Sequence, residues 1–473
     1  MGFRVEHDYL GEVRVPADAY WGVQTQRAVQ NFPISGIRPS KEYIVATATV
    51  KRAAAEANLL AGRLDRRRAD AIMKAAEEIM EGRLQDQFVV DVYQAGAGTS
   101  HNMNANEVIA NRALEILGER RGSYDIVSPN DHVNMGQSTN DVIPTIIRVV
   151  SLTMLKALLG RMEHLSSALH LKAEEFDGII KSGRTHLMDA APIRLGQEFE
   201  AWARMISRDA ERLSGCEARL AEMNIGATAV GTGLNADPRY VEEAVKVLCR
   251  LTGFRLRNAG HLPEMTQSTT DFVDLSGGLR ALAVDLIKIS NDIRLMASGP
   301  KTGLAEIELP AVQPGSSIMP GKVNPSIPEM VDMVGFQVIG NDTAITLASQ
   351  AGQLELNVMM PLIAYCLVHS MTILRTSCEV FADKAVAGIR ANRERMEKLL
   401  HESPGVALAL NPYVGYLKAA EVVKKALAEN KTVKDAAIEM KLLPREELER
   451  IFDPHELTKM GIAGSPSKRR SKR

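Results

Sequence analysis

The sequence is poor in aromatic residues and in cysteine. Phe, Trp and Tyr make up 4% of the 473 residues, whereas Ala, Leu, Met and Glu are plentiful, and this balance favours helices over β-sandwiches or barrels. The four cysteines, at positions 216, 249, 366 and 378, show neither a CxxC pair nor a zinc-binding spacing. We therefore expect reduced thiols in the core of a protein from a reducing compartment.

The chain also lacks an excess of either charge. Its 57 basic and 58 acidic residues leave a formal net charge of -1, which excludes a general polyanion binder. The first residues show no apolar signal core, and Glu6 occupies the position where acylation requires Ser or Thr. Because we identify no apolar run that approaches the roughly 20 residues needed to span a bilayer, we expect a soluble, cytoplasmic protein.

Apolar residues recur at helical spacing over most of the chain. The most regular pattern is a heptad seam formed by Leu152, Leu155, Leu159, Met162, Ser166, Leu169, Ala173 and Phe176. Four more long helices are predicted: one restarting at Asp189 and Pro192, with Leu195, Phe199, Trp202 and Ile206 on one face, and others at about 270–297, 326–350 and 361–386. A bundle this tall and apolar predicts that its outer faces pack against other subunits.

The remaining segments predict two smaller domains around this bundle. Residues 4–35 are predicted to be irregular, residues 41–81 helical with a break near Gly62, and 107–117 helical. We place an N-terminal helical domain at 1–140, the long-helix domain at 141–395 and a small C-terminal helical domain at 396–473. The basic end of the chain, 465–473, predicts a solvated tail, with a nucleic-acid or targeting role as the alternative.

The stretch 314–329, PGSSIMPGKVNPSIPE, combines a loop with the start of a helix. Its Pro and Gly residues break helical hydrogen bonding up to position 321, and Asn324 then has the character of a helix cap before Pro325. The loop offers the hydroxyls of Ser316 and Ser317 and the ammonium of Lys322, a set that suits capture of an anion. A helix connector whose serines satisfy local backbone groups explains the same residues.

Three other polar breaks lie between predicted helices. They contain Thr99, Ser100 and Asn102; Ser138, Thr139 and Asn140; and Thr185 and His186. Taken singly, such residues are usually helix caps or structural side chains. Together with the 314–329 loop they supply many neutral donors, one cation and one imidazole, without a carboxylate pair, a cysteine nucleophile or a metal cage. This set suits a small dianion on which charge develops at a carboxylate during reaction.

Five motifs in order resemble the aspartase/fumarase superfamily. They are GAGTSHNMNANEVIANRA, QSTND, GRTHLMDA, GATAVGTGLN and the signature GSSIMPGKVNP, and the similarity extends from about residue 4 to residue 464. The resemblance implies an all-α subunit of three domains, whose central domain gives five helices to a 20-helix homotetramer core. It also implies that three subunits share each active site.

The resemblance further implies a reversible, cofactor-free anti elimination that yields fumarate. By match to the family, Ser316 is the base, acting as an alkoxide, and His186 and Lys322 are the other catalytic residues. The matched substrate-binding residues are Ser138, Thr139 and Ser317 for the reacting carboxylate, Lys322 and Asn324 for the other carboxylate with Thr185 adjacent, Thr99 and Asn140 with His186 around the leaving group, Met319, and Glu329 as the partner that orients His186. No metal or other cofactor is expected.

Two activities within the superfamily remain open. The segment that follows the signature, and DQFVVDVYQAGAGTS before it, resemble the branch that eliminates ammonia from L-aspartate, whereas YWGVQTQR is closer to the branch that dehydrates L-malate. Met188, Met360, His101 and Gly136 depart from the residues usual in the family. The first two each replace a polar group, so they bear on substrate preference more than on reaction type.

Overall fold

The computed structural model describes residues 2–465, so the prediction made for the basic tail falls almost entirely outside the described residues. The chain divides into two compact units. Unit 1 comprises Met1–Gly160, Asp209–Val284 and Val334–Arg375, and unit 2 comprises Arg161–Arg208, Asp285–Met333 and Thr376–Arg473. These units group the chain differently from the predicted boundaries near 140 and 395, and the three-domain division stays a prediction.

Helices dominate both units. In chain order the helices are α1 (Val23–Asn31), α2 (Lys41–Leu60), α3 (Arg66–Met80), α4 (Thr99–Ile116), α5 (Thr139–Phe176), α6 (Leu195–Ser214), α7 (Glu217–Leu220), α8 (Pro238–Thr252), α9 (Leu262–Gln267), α10 (Thr270–Met296), α11 (Ser326–Gln350), α12 (Met360–Lys384), α13 (Arg393–Glu402), α14 (Asn411–Val414), α15 (Tyr416–Ala428), α16 (Val433–Glu439) and α17 (Arg445–Ile451). Short 3-10 turns and one π-helical turn, Pro129–Val133, occur between them.

The strands are few and form only two-stranded pairs within residues 2–465. They are β1 (Phe3–Asp8), β2 (Gly11–Pro16), β3 (Ile180–Thr185), β4 (Met188–Arg194), β5 (Glu222–Met223), β6 (Arg257–Asn258), β7 (Ile307–Glu308) and β8 (Arg390–Ala391). The pairs β1–β2, β3–β4 and β7–β8 are antiparallel, and β5–β6 is parallel. The predicted all-α class is confirmed, with these hairpins as additions to it.

The five long helices, α5, α6, α10, α11 and α12, are confirmed. Their buried faces follow the predicted spacing: in α6, Leu195, Phe199 and Ile206 are fully buried. The one polar member of the α5 seam, Ser166, donates its hydroxyl to Ala203 O at 3.0 Å, so the polar group is satisfied where the seam is interrupted.

Helix α5 is long and apolar enough to cross a membrane by length and composition, contrary to the expectation that no such run exists. However, 78% of its most apolar stretch is buried inside the protein. A helix that is apolar all round and covered by protein has the character of a core helix.

All four cysteines are free, and only Cys366 and Cys378 are buried, whereas Cys216 and Cys249 are partly exposed.

Helix α4 begins at Thr99 rather than at Glu107, so the polar run TSHNMNAN is helical. The backbone enters this helix through Gly98 at φ 92°, a conformation that favours glycine. The asparagines of the run are buried and bonded to distant chain; Asn104, for example, donates to Gln87 O and accepts from Val89 N. Tertiary hydrogen bonds therefore outweigh the low helix propensity of this run.

Residues 180–194 form the β3–β4 hairpin, where the sequence had predicted a helix restarting at Asp189. The strands pair from Ile180↔Arg194 to Thr185↔Met188, and α6 begins only at Leu195. Close approach of the strands requires glycine at position 183, because a Cβ there would lie 2.5 Å from Ala191 O.

The opening residues 4–35, predicted to be irregular, contain the β1–β2 hairpin and α1.

Truncating the α5 seam should destabilise the protein. Leu169 is fully buried, and Leu169→Ala is expected to lower the free energy of unfolding by about 2–5 kcal/mol through lost burial and the cavity left behind. Leu171→Ala is the matched control, since Leu171 is 64% exposed on the same helix. Thermal melting of the two variants should separate them, and equal melting temperatures would contradict the assignment of the seam to the core.

Candidate active site

In unit 1, two of the predicted site residues begin long helices. Thr99 is the first residue of α4 and Thr139 the first residue of α5, and helix N-termini favour bound anions. The side chain of Asn102, one turn into α4, is buried and donates to Thr139 Oγ1 at 3.3 Å. This amide links the two helix starts, and sequence reasoning had given it no role beyond membership of a polar break.

Asp141 fastens the QSTND segment to the GATAVGTGLN segment. Its carboxylate is fully buried and accepts the backbone N–H of Ser138 at 3.0 Å, of Gly226 at 3.1 Å and of Thr228 at 2.9 Å. The neighbouring Asn140 donates its side-chain amide to Ala229 O at 2.7 Å. Two motifs that are distant in sequence are thus held as one polar surface.

Lys51 is buried next to the QSTND segment, and the sequence analysis did not single it out as a site residue. Its ammonium is fully buried and donates to Asn134 Oδ1 at 3.0 Å and to Gln137 Oε1 at 2.9 Å. Burial lowers the pKa of Lys51 to about 7, and the Asp141 carboxylate opposes this shift. The available signal was its position, because Lys51 shares the buried helical spacing of Ala48 and Ala55.

Asp141 experiences the same burial with the opposite charge. Desolvation raises the pKa of this carboxyl to about 6, while the backbone donors and Lys51 act in the other direction. The two buried groups therefore have their pKa values drawn close together. Each of them affects the protonation of the other.

In unit 2, Thr185 and His186 lie at the tip of the β3–β4 hairpin. His186 and Leu187 are the two turn residues, and both have positive φ, 55° and 61°, as a type I′ turn requires. Neither is glycine. Other residues with positive φ are uncommon because the backbone is strained, and they are found preferentially at functional sites. The tip is exposed, with Leu187 73% and Met188 69% accessible.

Buried charges anchor strand β3 of this hairpin. Glu306 is fully buried and lies 2.9 Å from Arg184 Nη1 and 3.1 Å from Lys181 Nζ. Lys181 also contacts Glu198 Oε1 at 3.0 Å. Because a buried ion pair tolerates little displacement, this cluster fixes the direction in which Thr185 and His186 project.

The loop that carries Ser316 is closed at its neck. Gly315 N donates to Lys322 O at 2.8 Å, and the side-chain amide of Asn324 donates to Gly315 O at 2.7 Å. Asn324 therefore closes the loop, and helix α11 begins after it, at Ser326. Beyond the neck, Ser317, Met319 and Lys322 are exposed.

Ser316 Oγ accepts two backbone hydrogen bonds, from Ile318 N at 3.2 Å and from Met319 N at 3.0 Å. Donors aimed at an oxygen stabilise its anionic form more than its neutral form. This arrangement is the local pattern of a serine at a turn, and the role of Ser316 as the base stays a prediction. Within residues 2–465, no hydrogen bond or ion pair joins Glu329 to His186, and their pairing stays a prediction, as do the roles of the other site residues.

The described part of the chain contains no group of three or more His, Cys, Asp or Glu side chains that could hold a metal ion. Apart from the buried carboxylates of Asp141 and Glu306, the polar groups around the predicted site residues are hydroxyls, amides, backbone N–H groups and basic side chains. Such a set can bind carboxylates and stabilise charge that develops on them.

Comparison with known families agrees with this chemistry. Residues 11–340 match a family described as Lyase, and residues 407–459 match the fumarase C C-terminus. An aspartate ammonia-lyase from Bacillus subtilis (strain 168) is 52% identical over 462 residues, covering 98% of this chain and 97% of the relative. A class II fumarate hydratase from Xylella fastidiosa (strain 9a5c) is 47% identical over 461 residues, covering 97% and 96%.

Solved structures show the same fold. The cobalt-bound crystal structure of a fumarate lyase:delta crystallin from Brucella melitensis has a TM-score of 0.92 and 49% identity, and the match covers 96% of this chain and 99% of that one. A class II fumarase from Schistosoma mansoni has a TM-score of 0.92 at 36% identity, with the same coverage. Fold and family match together define an enzyme of the lyase class. More narrowly, the chain belongs to the aspartase/fumarase superfamily.

Lys51→Met should change how stability depends on pH. The folded-state pKa of about 7 lies below the ordinary value of 10.5, so between these values the unfolded chain binds a proton that the folded chain does not. Stability of the wild type therefore rises with pH across this window, and the variant lacks that rise. The melting temperature of the wild type minus that of Lys51→Met should therefore increase by at least about 2 °C between pH 7 and pH 10.

The control for this experiment is Lys424→Met, which removes an exposed lysine of α15. Its melting temperature should follow that of the wild type at every pH. Parallel curves for the wild type and Lys51→Met would show that the buried ammonium has an ordinary pKa.

Proposed function

We propose that this lyase eliminates ammonia from L-aspartate to give fumarate, reversibly and without a cofactor. The structural observation that supports this reaction type concerns Ser316. Its oxygen accepts hydrogen bonds from two backbone N–H groups within a loop whose ends are joined. The choice of aspartate is supported by two Bacillus aspartate ammonia-lyases, which are 52% and 50% identical over 98% of this chain. A small dicarboxylate is the substrate class that the polar surfaces suit.

In the proposed reaction, the Ser316 alkoxide removes a proton from the carbon next to the β-carboxylate. The C–H electron pair delocalises into that carboxylate, which becomes a dianionic aci-carboxylate. Ser138, Thr139 and Ser317 donate to it, and these donors stabilise the transition state because they bind the dianion more strongly than the substrate. Ionisation of the serine requires this loop, which is exposed in the single chain, to be covered and dry, and the Lys322 ammonium then favours the anion.

The aci-carboxylate then collapses and expels the amine. The electron pair returns to form the carbon–carbon double bond, the C–N bond breaks, and the substrate ammonium leaves as neutral ammonia. The proton remains on Ser316 until it is released to solvent. Lys322 and Asn324 hold the α-carboxylate, with Thr185 adjacent, while Thr99, Asn140 and His186 surround the amino group, and Glu329 orients His186.

We further propose a cytoplasmic homotetramer in which three subunits complete each site. In the single chain, α11 leaves Phe336 60% and Leu347 55% exposed. Large apolar side chains exposed together on one helix mark a surface that another chain covers. The exposed hairpin tip around His186 is a second segment suited to reach a neighbouring subunit.

The second candidate function is hydration of fumarate to L-malate. It is favoured by the 47% identity to class II fumarate hydratases over 97% of the chain. The two reactions differ in their leaving group, since an ammonium leaves without further protonation whereas a hydroxyl requires a proton from an acid. His186 is the imidazole that would supply it.

The two substrates distinguish the candidates directly. With purified protein, L-aspartate should give ammonia and fumarate in equal amounts, while L-malate gives no fumarate, because the site is expected to bind an ammonium group. Ammonia is measured by an enzyme-coupled assay and fumarate by its ultraviolet absorbance. Fumarate from malate alone would replace the proposal with the hydratase, and inertness toward both would direct attention to Met188 and Met360.

Ser316→Ala tests the base. Removing the oxygen should lower kcat with the better substrate by about a hundredfold or more, since general-base catalysis contributes on this scale, while leaving the melting temperature near that of the wild type. Ser167→Ala, which removes an exposed hydroxyl of α5, should retain full activity. Near wild-type turnover by Ser316→Ala would mean that another group takes the proton.

A further inference from the structure

A cluster of polar side chains contacts Thr139 in unit 1. Its members are Lys51 of α2, Asn102 and Asn106 of α4, and Asn134, which lies between α4 and α5. Lys51, Asn102 and Asn106 are at most 1% exposed. Because these groups are shielded from water, their hydrogen bonds have to be made within the protein. The direction of each bond then depends on which atoms can donate.

Lys51 determines the orientation of the Asn134 amide. Its Nζ atom donates to Asn134 Oδ1 at 3.0 Å and to Gln137 Oε1 at 2.9 Å, and an ammonium group cannot accept. A neutral amine would still have an N–H group for each of these acceptors. At the other end of the amide, Asn134 Nδ2 donates to Gln137 O at 3.2 Å. The carbonyl oxygen of Asn134 is therefore fixed toward Lys51.

Asn134 in turn determines the orientation of Asn102. Its Oδ1 atom accepts from Asn102 Nδ2 and from Asn106 Nδ2, both at 3.2 Å. Flipping the Asn102 amide would place two carbonyl oxygens against each other. The amide keeps its orientation although its own Oδ1 atom is buried and has no donor within residues 2–465, which costs free energy. Asn102 therefore presents its N–H groups, and not its oxygen, to Thr139.

This orientation determines the role of the Thr139 hydroxyl. Asn102 Nδ2 donates to Thr139 Oγ1 at 3.3 Å, so the oxygen is the acceptor and its proton points away from Asn102. Within residues 2–465, the Thr139 hydroxyl donates to no protein group. Thr139 is partly exposed at the start of α5, where a bound carboxylate can accept this proton.

We propose that Asn102 is a positioning residue that makes the Thr139 hydroxyl a hydrogen-bond donor to the reacting carboxylate. The orientation of Asn102 is itself imposed by Lys51 through Asn134. This role rests on the proposed function, in which Thr139 binds that carboxylate. Because the carboxylate gains negative charge in the reaction, a hydroxyl that directs its proton outward stabilises the aci-carboxylate more than the substrate. An amide presented the other way round would take the proton for itself.

A double-mutant cycle tests this role. Asn102→Ala should lower kcat by about fivefold, the scale of one net hydrogen bond, with a smaller change in KM, because the bond is strongest in the transition state. In Thr139→Val, which lacks the hydroxyl, the same replacement should change kcat by less than about twofold. Thr139→Ser keeps a hydroxyl and should show the larger loss again. A loss of equal size in all three backgrounds would refute the proposal.

Asn106→Ala is the matched control. It removes a buried amide of the same helix that donates to the same oxygen of Asn134. Within residues 2–465, Asn106 makes no hydrogen bond to Thr139. Its effect on kcat should therefore be the same with and without the Thr139 hydroxyl. Coupling to Thr139 as strong as that of Asn102 would mean that the cluster acts through packing, and would overturn the assigned role.

The result can be separated from the identity of the substrate. Rates are measured with whichever of L-aspartate and L-malate is turned over, so turnover of malate alone would refute the aspartate assignment and not the role of Asn102. If both are inert, the affinity for succinate, a saturated dicarboxylate, is measured by calorimetry for the same variants, and the same pattern is expected. An effect of Asn102→Ala that persists in Thr139→Val, or no succinate binding to the wild type, would then overturn the proposal.

Discussion

A carboxylate that is removed from water has to be surrounded by donors, and the polar loops of unit 1 are arranged around one such group. Asp141 is fully buried and is neutralised in part by backbone N–H groups from two segments, around Ser138 and around Gly226 and Thr228. If either segment moved away, the charge would lose donors that water could not replace. The positions of Ser138 and Asn140 therefore follow from the solvation of their neighbour.

Unit 2 also contains a buried carboxylate, but its partners are charged side chains and not backbone N–H groups. Glu306 is fully buried, and Lys181 and Arg184 approach it from strand β3 of the β3–β4 hairpin. These charges along β3 are covered, whereas the tip with His186 is exposed and has an uncommon backbone conformation. A firmly held strand allows the adjoining tip to keep a strained backbone conformation.

Elements with a clear apolar period could be predicted from sequence. The helix expected at 270–297 spans Thr270–Met296, and the one expected at 326–350 is found with those ends, because burial of one continuous face determines both. The start of α4 and the β3–β4 hairpin were predicted wrongly, since their stability comes from contacts that local patterns do not contain. Asn104 bonds to Gln87 and Val89, and a side chain at position 183 would collide with Ala191 O on the opposite strand.

In the candidate site, too, residues whose role depends on distant partners could not be predicted from the sequence. Residues in recognisable motifs, such as Ser316 and Thr139, could be singled out from the sequence alone. Lys51 and the linking role of Asp141 could not, because their importance depends on burial and on partners more than 80 residues away, as with Lys51 and Asn134 or Asp141 and Gly226.

The closed neck of the Ser316 loop has an entropic consequence. Gly315, Lys322 and Asn324 already hold the two ends of the loop together, so much of its backbone freedom is lost when the chain folds. In the proposed reaction, a substrate that meets this loop therefore does not have to order it residue by residue. More of the intrinsic binding energy then remains available for the reacting carboxylate, which is the thermodynamic advantage of a preorganised segment.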